Sequence, residues 1–248
     1  MRSTAPLWLA AALALPAIAH ADPQDYVHVP TVEYGEREID LKAGTWKLPG
    51  EGVRESGASL GFGWGATPWW FTEAYVMYHN EGEGTKYDAV EWENLFQLTE
   101  HNQYFVDVGL ITEIEFPREH AREGYELAFG PLFQKDIGAW RWNANVLFAH
   151  RYRGREQESN AMEMGYQLQA KTAIARNLEA GFEAFGEMGP WRHWDARGEQ
   201  SHRIGPAIFG KVKLGEGRQA LRYNAAWLWG ATDASPRNSF RLQAEYEF

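Results

Sequence analysis

Asn238-Ser239-Phe240-Arg241-Leu242-Gln243-Ala244-Glu245-Tyr246-Glu247-Phe248 closes the chain, and its parity decides the fold. Phe240, Leu242, Ala244, Tyr246 and Phe248 fall on one parity, and Ser239, Arg241, Gln243, Glu245 and Glu247 on the other. Side chains alternate faces along a strand, so the segment presents one apolar and one strongly polar face. On this stretch alone, a strand of a soluble barrel or sandwich is the competing reading.

The same period of two recurs from Glu33 onward, and no stretch reads as a helix. A first strand spans Glu33 to Trp46. The second, Ala58 to Ala66, sets Ala58, Leu60, Phe62, Trp64 and Ala66 against Ser59, Gly61, Gly63 and Gly65, a glycine face suited to a crowded interior. A fifth strand starts at Tyr104. Continuing to Phe248 gives about twelve strands, each near the ~9–11 residues that cross a bilayer on a tilt. Connections alternate long and short. Trp69, Trp70, Trp140 and Trp142 sit at strand starts on one side, with Tyr104, Tyr246 and Phe248, while Trp227 and Trp229 sit at the other end. Two aromatic bands suit the two interfaces of a lipid layer.

The closing strand, with an aromatic two residues before its final Phe248, resembles the terminal strand of bacterial outer-membrane β-barrels of the twelve-strand size class. The resemblance implies an all-β, closed, up-and-down antiparallel transmembrane barrel over 33–248. It also implies that Tyr246 and Phe248 form the signal read by the barrel-insertion machinery. Ahead of the barrel, Met1-Arg2, an apolar run from Ala5 to Ile18 and Ala19-His20-Ala21 read as a signal peptide over 1–21. Residues 22–32, with Pro23 and Pro30, read as a periplasmic lead-in able to fold back into the barrel mouth. The expected location is the outer membrane of a Gram-negative cell.

Composition narrows the function. The 248 residues carry 24 Lys+Arg against 34 Asp+Glu, a formal charge of −10, which argues against nucleic acid as a partner. Mean hydropathy is −0.51, so a membrane role falls to strands. Aromatics make up 15%, including 12 Trp.

With apolar parity on lipid, the interior charges are Glu91, Glu93, Asp107, Glu113, Glu115, Glu126, Arg141, Glu163, Lys171, Glu183, Glu187, Arg203, Lys211, Lys213, Arg222 and Arg241. Strand direction puts Glu113, Glu115, Glu126, Glu163 and Glu187 toward the outer mouth. It puts Arg141, Lys171, Lys211, Lys213 and Arg222 toward the periplasm. Such rings in a narrow, low-dielectric pore set solute preference, here for cationic or zwitterionic solutes. The expectation is a porin-like small-solute channel or transporter in contact with outer-membrane lipid, with no cofactor and no metal. One alternative is a structural barrel with a filled lumen. Another is a lipid hydrolase on His150, Ser159 and Asn160, since its chemistry needs a base-activated serine; the balance leans against an enzyme. A loop with Trp191, His193, Trp194, Asp195, Glu199 and His202 holds metal-ligating types at no defined spacing.

Overall fold

The computed structural model describes residues 24–50, 53–154 and 161–248. The signal-peptide reading over 1–21 and the residues Ser159 and Asn160 lie outside the described residues. Twelve strands close one antiparallel barrel, each pairing with its sequence neighbours and the first with the last. They are β1 (Arg37–Trp46), β2 (Glu55–Thr67), β3 (Trp70–Asn80), β4 (Lys86–Gln97), β5 (Asp107–Pro117) and β6 (Tyr125–Ile137). Then follow β7 (Trp140–Tyr152), β8 (Glu163–Ala175), β9 (Leu178–Pro190), β10 (Ser201–Lys213), β11 (Ala220–Gly230) and β12 (Asn238–Glu247). Closure runs from Glu38 opposite Glu247 to Trp46 opposite Ser239, so no edge strand is left unpaired.

The elements differ from the sequence reading in several places, β2 among them, which runs Glu55–Thr67 rather than Ala58 to Ala66. Residues 33–36 form a turn, with Gly35 at φ 76°, so β1 starts at Arg37 rather than Glu33. The fifth strand starts at Asp107, leaving Tyr104 and Val106 in the connection, where Asn102 takes a φ of 60°. A single helical turn, α1 (His120–Glu123), interrupts the β5–β6 loop, where no helix was expected.

The two faces separate as the parity requires. Leu60, Phe62 and Trp64 are exposed on the outer wall, as are Trp92, Trp140, Trp142, Trp227 and Trp229. Indole N–H groups there find local acceptors: Trp92 donates to Thr72 Oγ1 at 2.9 Å and Trp70 to Asn94 Oδ1 at 3.0 Å. This leaves the apolar wall without unpaired donors at those points. Trp46 is the exception. It lies on the inner parity, is buried, and donates to Glu55 at 2.8 Å.

The interior is not purely polar. Leu95, Ile111 and Leu132 form one buried cluster, with Val32, Phe71 and Leu147 packed against it. Phe185, Ala207, Phe209, Ala226 and Leu228 form another, and Val27 of the lead-in joins it. These residues share the inner parity of their strands with the charged positions. An alternation rule that assigns every apolar residue to lipid therefore misplaces them.

A charged interior beneath an internal plug

The lead-in, read over 22–32 as a periplasmic segment able to fold back into the barrel mouth, lies inside the barrel over its described part. Gln24, Val27, His28 and Pro30 are all buried. Glycines make its room. A Cβ on Gly65 would strike the Glu33 carbonyl, and one on Gly109 would come within 2.9 Å of Pro30 Cα. At the barrel rim Gly35 N–H donates to Gly65 O at 2.8 Å, and Val32 N–H donates to Gln97 Oε1 at 2.7 Å. The glycine face of β2 otherwise accepts neighbouring side chains: Gly61 faces Tyr75 and Glu73, and Gly63 faces Phe71 and Glu38.

The tip of the lead-in is held by charge. Asp25 pairs with Arg203 at 3.1 Å, and Arg203 stacks over the rings of Trp46 and Phe185. Tyr26 donates its hydroxyl to both oxygens of Glu93, at 3.0 and 2.9 Å. His28 stands between two carboxylates, Nε2 at 3.1 Å from Glu113 and Nδ1 at 3.6 Å from Glu93. Its N–H donates to Gln167 at 3.2 Å, and its carbonyl accepts from Asn145 at 2.9 Å. Burial opposes a charged imidazole, but Glu113 and Glu93 outweigh it and raise the His28 pKa above its ordinary value. Lys42 sits 3.6 Å from the ring centres of both Tyr26 and Tyr75.

Register places the carboxylates around His28 in rows. Glu73, Glu93 and Glu113 are directly opposite one another across β3, β4 and β5. Two residues further along, Glu91, Glu115 and Glu126 form a second row across β4, β5 and β6. Like charges directly opposite each other in a ladder repel. The one Lys or Arg of β3–β5 on this face is Lys86 at the far rim, and it pairs with Glu83 of its own loop at 3.1 Å. Arg151 meets the end of the second row, Glu126, at 3.0 Å.

The opposite wall neutralises itself. Arg241 donates from Nε and Nη2 to one oxygen, Oε2, of the fully buried Glu183, and also from Nη1 to Asn224 Oδ1 at 2.7 Å. Lys211 pairs with Glu247 at 2.7 Å and Lys171 with Glu179 at 2.9 Å. Arg222 contacts Glu245 at 3.4 Å, and Glu247 and Glu33 as well. The bases expected to form a positive ring near the short turns are thus met by Glu179, Glu245 and Glu247, which the sequence reading left off that end. Arg141 likewise pairs with Asp136 at 2.9 Å. Asp107 is buried against His101 at 2.6 Å. Glu163 and Glu187 lie on the inner parity of β8 and β9, and Lys213 on that of β10, exposed at the rim.

An amide and carboxylate belt crosses the remaining strands. Asn143 donates to Gln169, Gln169 to Glu183, Asn224 to Gln243, and Gln243 to Asp40, all between 2.7 and 2.9 Å. Tyr75 closes it on Asp40 at 2.9 Å. Tyr26, His28, Asp40, Lys42, Glu73 and Tyr75 were all missed. Parity within β1 and β3 marks four of them as inward, but nothing in an irregular lead-in marks Tyr26 or His28.

His150 of the hydrolase alternative faces outward and donates Nδ1–H to the Ala161 carbonyl at 3.1 Å, its ring against Tyr152. His202, from the loop cluster, is bound instead to Tyr166 at 3.0 Å and Gln200 at 2.9 Å. Among the described residues, metal-ligand groupings arise at His28, Glu93 and Glu113, and at Glu36, Glu38 and Glu245. In the first, both ring nitrogens of His28 already face different carboxylates, which is the geometry of an ion pair.

No protein-family model matches the sequence, and no curated protein is similar to it. Solved structures are. The barrel is similar to an outer membrane channel from Pseudomonas putida F1, with TM-score 0.60 and 10% identity, over 92% of this chain and 100% of that one. The chain has the fold of the bacterial outer-membrane β-barrels. A second structure, from a study of in-meso crystallization of membrane proteins, is 12% identical with TM-score 0.50, over 87% of this chain and 84% of that one.

Proposed function

We propose that the chain is an outer-membrane channel for small solutes, with a narrow, charged lumen. It reaches that membrane after cleavage of the segment 1–21 and insertion through Tyr246 and Phe248, whose rings stack at 5.8 Å. The fold it shares with an outer membrane channel supports this reading, as does an outer wall of exposed aliphatic and aromatic side chains. The observation that carries it is the pair of carboxylate rows. An interior built only for stability gains nothing from glutamates set opposite glutamates, whereas a solute path does. With both chain ends at the periplasmic side, the row Glu91, Glu115 and Glu126 lies nearer the outer mouth.

A structural barrel with a filled lumen is the second reading. It is favoured by the buried apolar clusters and by the plug. Purified protein in a planar lipid bilayer separates the two. Discrete ion-current steps, larger in a variant lacking 22–32 than in the full mature chain, are the expected outcome. A bilayer that stays at leak current with both proteins sinks the channel.

A further inference from the structure

Resting on that channel reading, we propose that the row Glu73, Glu93 and Glu113 is a binding site for a small organic cation. The chain's own lead-in occupies it, with His28 as a tethered stand-in for the solute. The row contributes three carboxylates, and what meets them is cationic or a donor. His28 spans Glu93 and Glu113, Tyr26 donates to Glu93, and Lys42 lies against the Tyr26 ring. Lys42 belongs to the barrel wall, but Tyr26 and His28 come from the lead-in, so two of these three groups leave if the lead-in moves.

A second feature points the same way. Oε1 of Glu73 and Oδ1 of Asp40 are buried and have no hydrogen-bond partner among the described residues. Burying an acceptor without a donor is costly. A ligand with several N–H donors, such as a guanidinium or a primary ammonium, would satisfy them and neutralise the row. A planar guanidinium matches carboxylates in a fork.

The route follows from the register. A cation entering from the outer mouth meets Glu91, Glu115 and Glu126 first, and Glu73, Glu93 and Glu113 two residues deeper. At the second row it competes with His28. Displacing His28 removes a main hold of the middle of the lead-in, while Asp25–Arg203, the Val27 cluster and the Val32–Gln97 bond still tether its two ends. Binding and opening are then one event, because a solute that binds the open form better shifts the population toward it.

Single-channel recording in planar bilayers tests this with full-length mature protein, His28→Ala, Glu93→Gln in the His28→Ala background, and a 24–32 deletion. Folding of each is checked by heat-modifiable gel mobility. His28→Ala should raise the open fraction about tenfold or more, the effect of losing roughly 1.4 kcal/mol of hold. Agmatine, which carries both a guanidinium and an ammonium, should produce resolvable blockades of the opened channel. Glu93→Gln should shorten them about tenfold, by the same arithmetic. An open fraction unchanged by His28→Ala overturns the plug, and blockades of equal length with Glu93→Gln overturn the site. If the folded 24–32 deletion passes no current, the channel reading falls and this inference with it. If the deletion conducts but agmatine leaves its current untouched, the channel stands and the cation site alone is lost.

Discussion

The two halves of the interior handle charge in opposite ways. On β9–β12 the two buried bases and two half-exposed ones meet acids on the wall or the plug: Arg241 on Glu183, Arg203 on Asp25, and Lys211 and Arg222 on Glu247. On β3–β5 the carboxylates face one another, and their cations come from Lys42 of β1 and His28 of a segment outside the barrel ladder. A paired buried charge fixes a structure, because removing either partner strands the other. A row of like carboxylates differs: its members repel one another, and here part of what relieves them comes from the lead-in. The β9–β12 half ties strand to strand and anchors the tip of the plug through Arg203, while the acidic half meets the plug through His28 and Tyr26.

Breaking the basic half should have the largest effect. Arg241→Ala leaves Glu183 buried without its base and should cost about 3–5 kcal/mol. A lower midpoint in urea, or loss of the heat-modifiable band, measures it. Glu93→Gln removes repulsion along its row as well as the His28 pair, and should lower that midpoint much less. Equal destabilisation by both would erase the distinction between the halves.

Gly65→Val comes next, because its side chain would occupy the place of the Glu33 carbonyl. The barrel should stay folded while the lead-in is expelled, seen as new protease cleavage within residues 24–36. Protection equal to wild type would mean that the glycine face does not seat the plug. Asp25→Asn should act in the same direction but less, since Arg203 keeps its stacking on Trp46 and Phe185. The expected result is faster cleavage of the same segment.

The smallest effect is alkaline. His28 has a raised pKa in the folded state, so its hold is fully present below the ordinary imidazole value and is lost as pH rises through the raised one. The groups facing it are Glu93, Glu113, Tyr26 and, through Tyr26, Lys42. Cleavage of the lead-in should therefore accelerate on the alkaline side only. Acceleration between pH 7 and the ordinary imidazole value would contradict it.

Much of this was legible in the chain because strands write their faces at every second residue. Phe240 to Phe248 announces one wall of the barrel, and Gly61, Gly63 and Gly65 announce a crowded interior. The parity of Glu91, Glu93, Glu113 and Glu115 points them inward without any knowledge of their neighbours. Parity misleads where an apolar residue serves the inside, as at Ile111, Leu132 and Phe185, because it reports the face and not what fills it.

By itself, then, the sequence determined the strand pattern, a strand number of about twelve and which charges share the inner parity, since each depends on local alternation and length. Only the tertiary structure decided which acids stand opposite which, that Arg241 reaches Glu183 across strands β12 and β9, and that Tyr26 and His28 enter the lumen. Those facts rest on register and on contacts between residues as far apart as His28 and Gln167, and no periodicity in a chain records such distances.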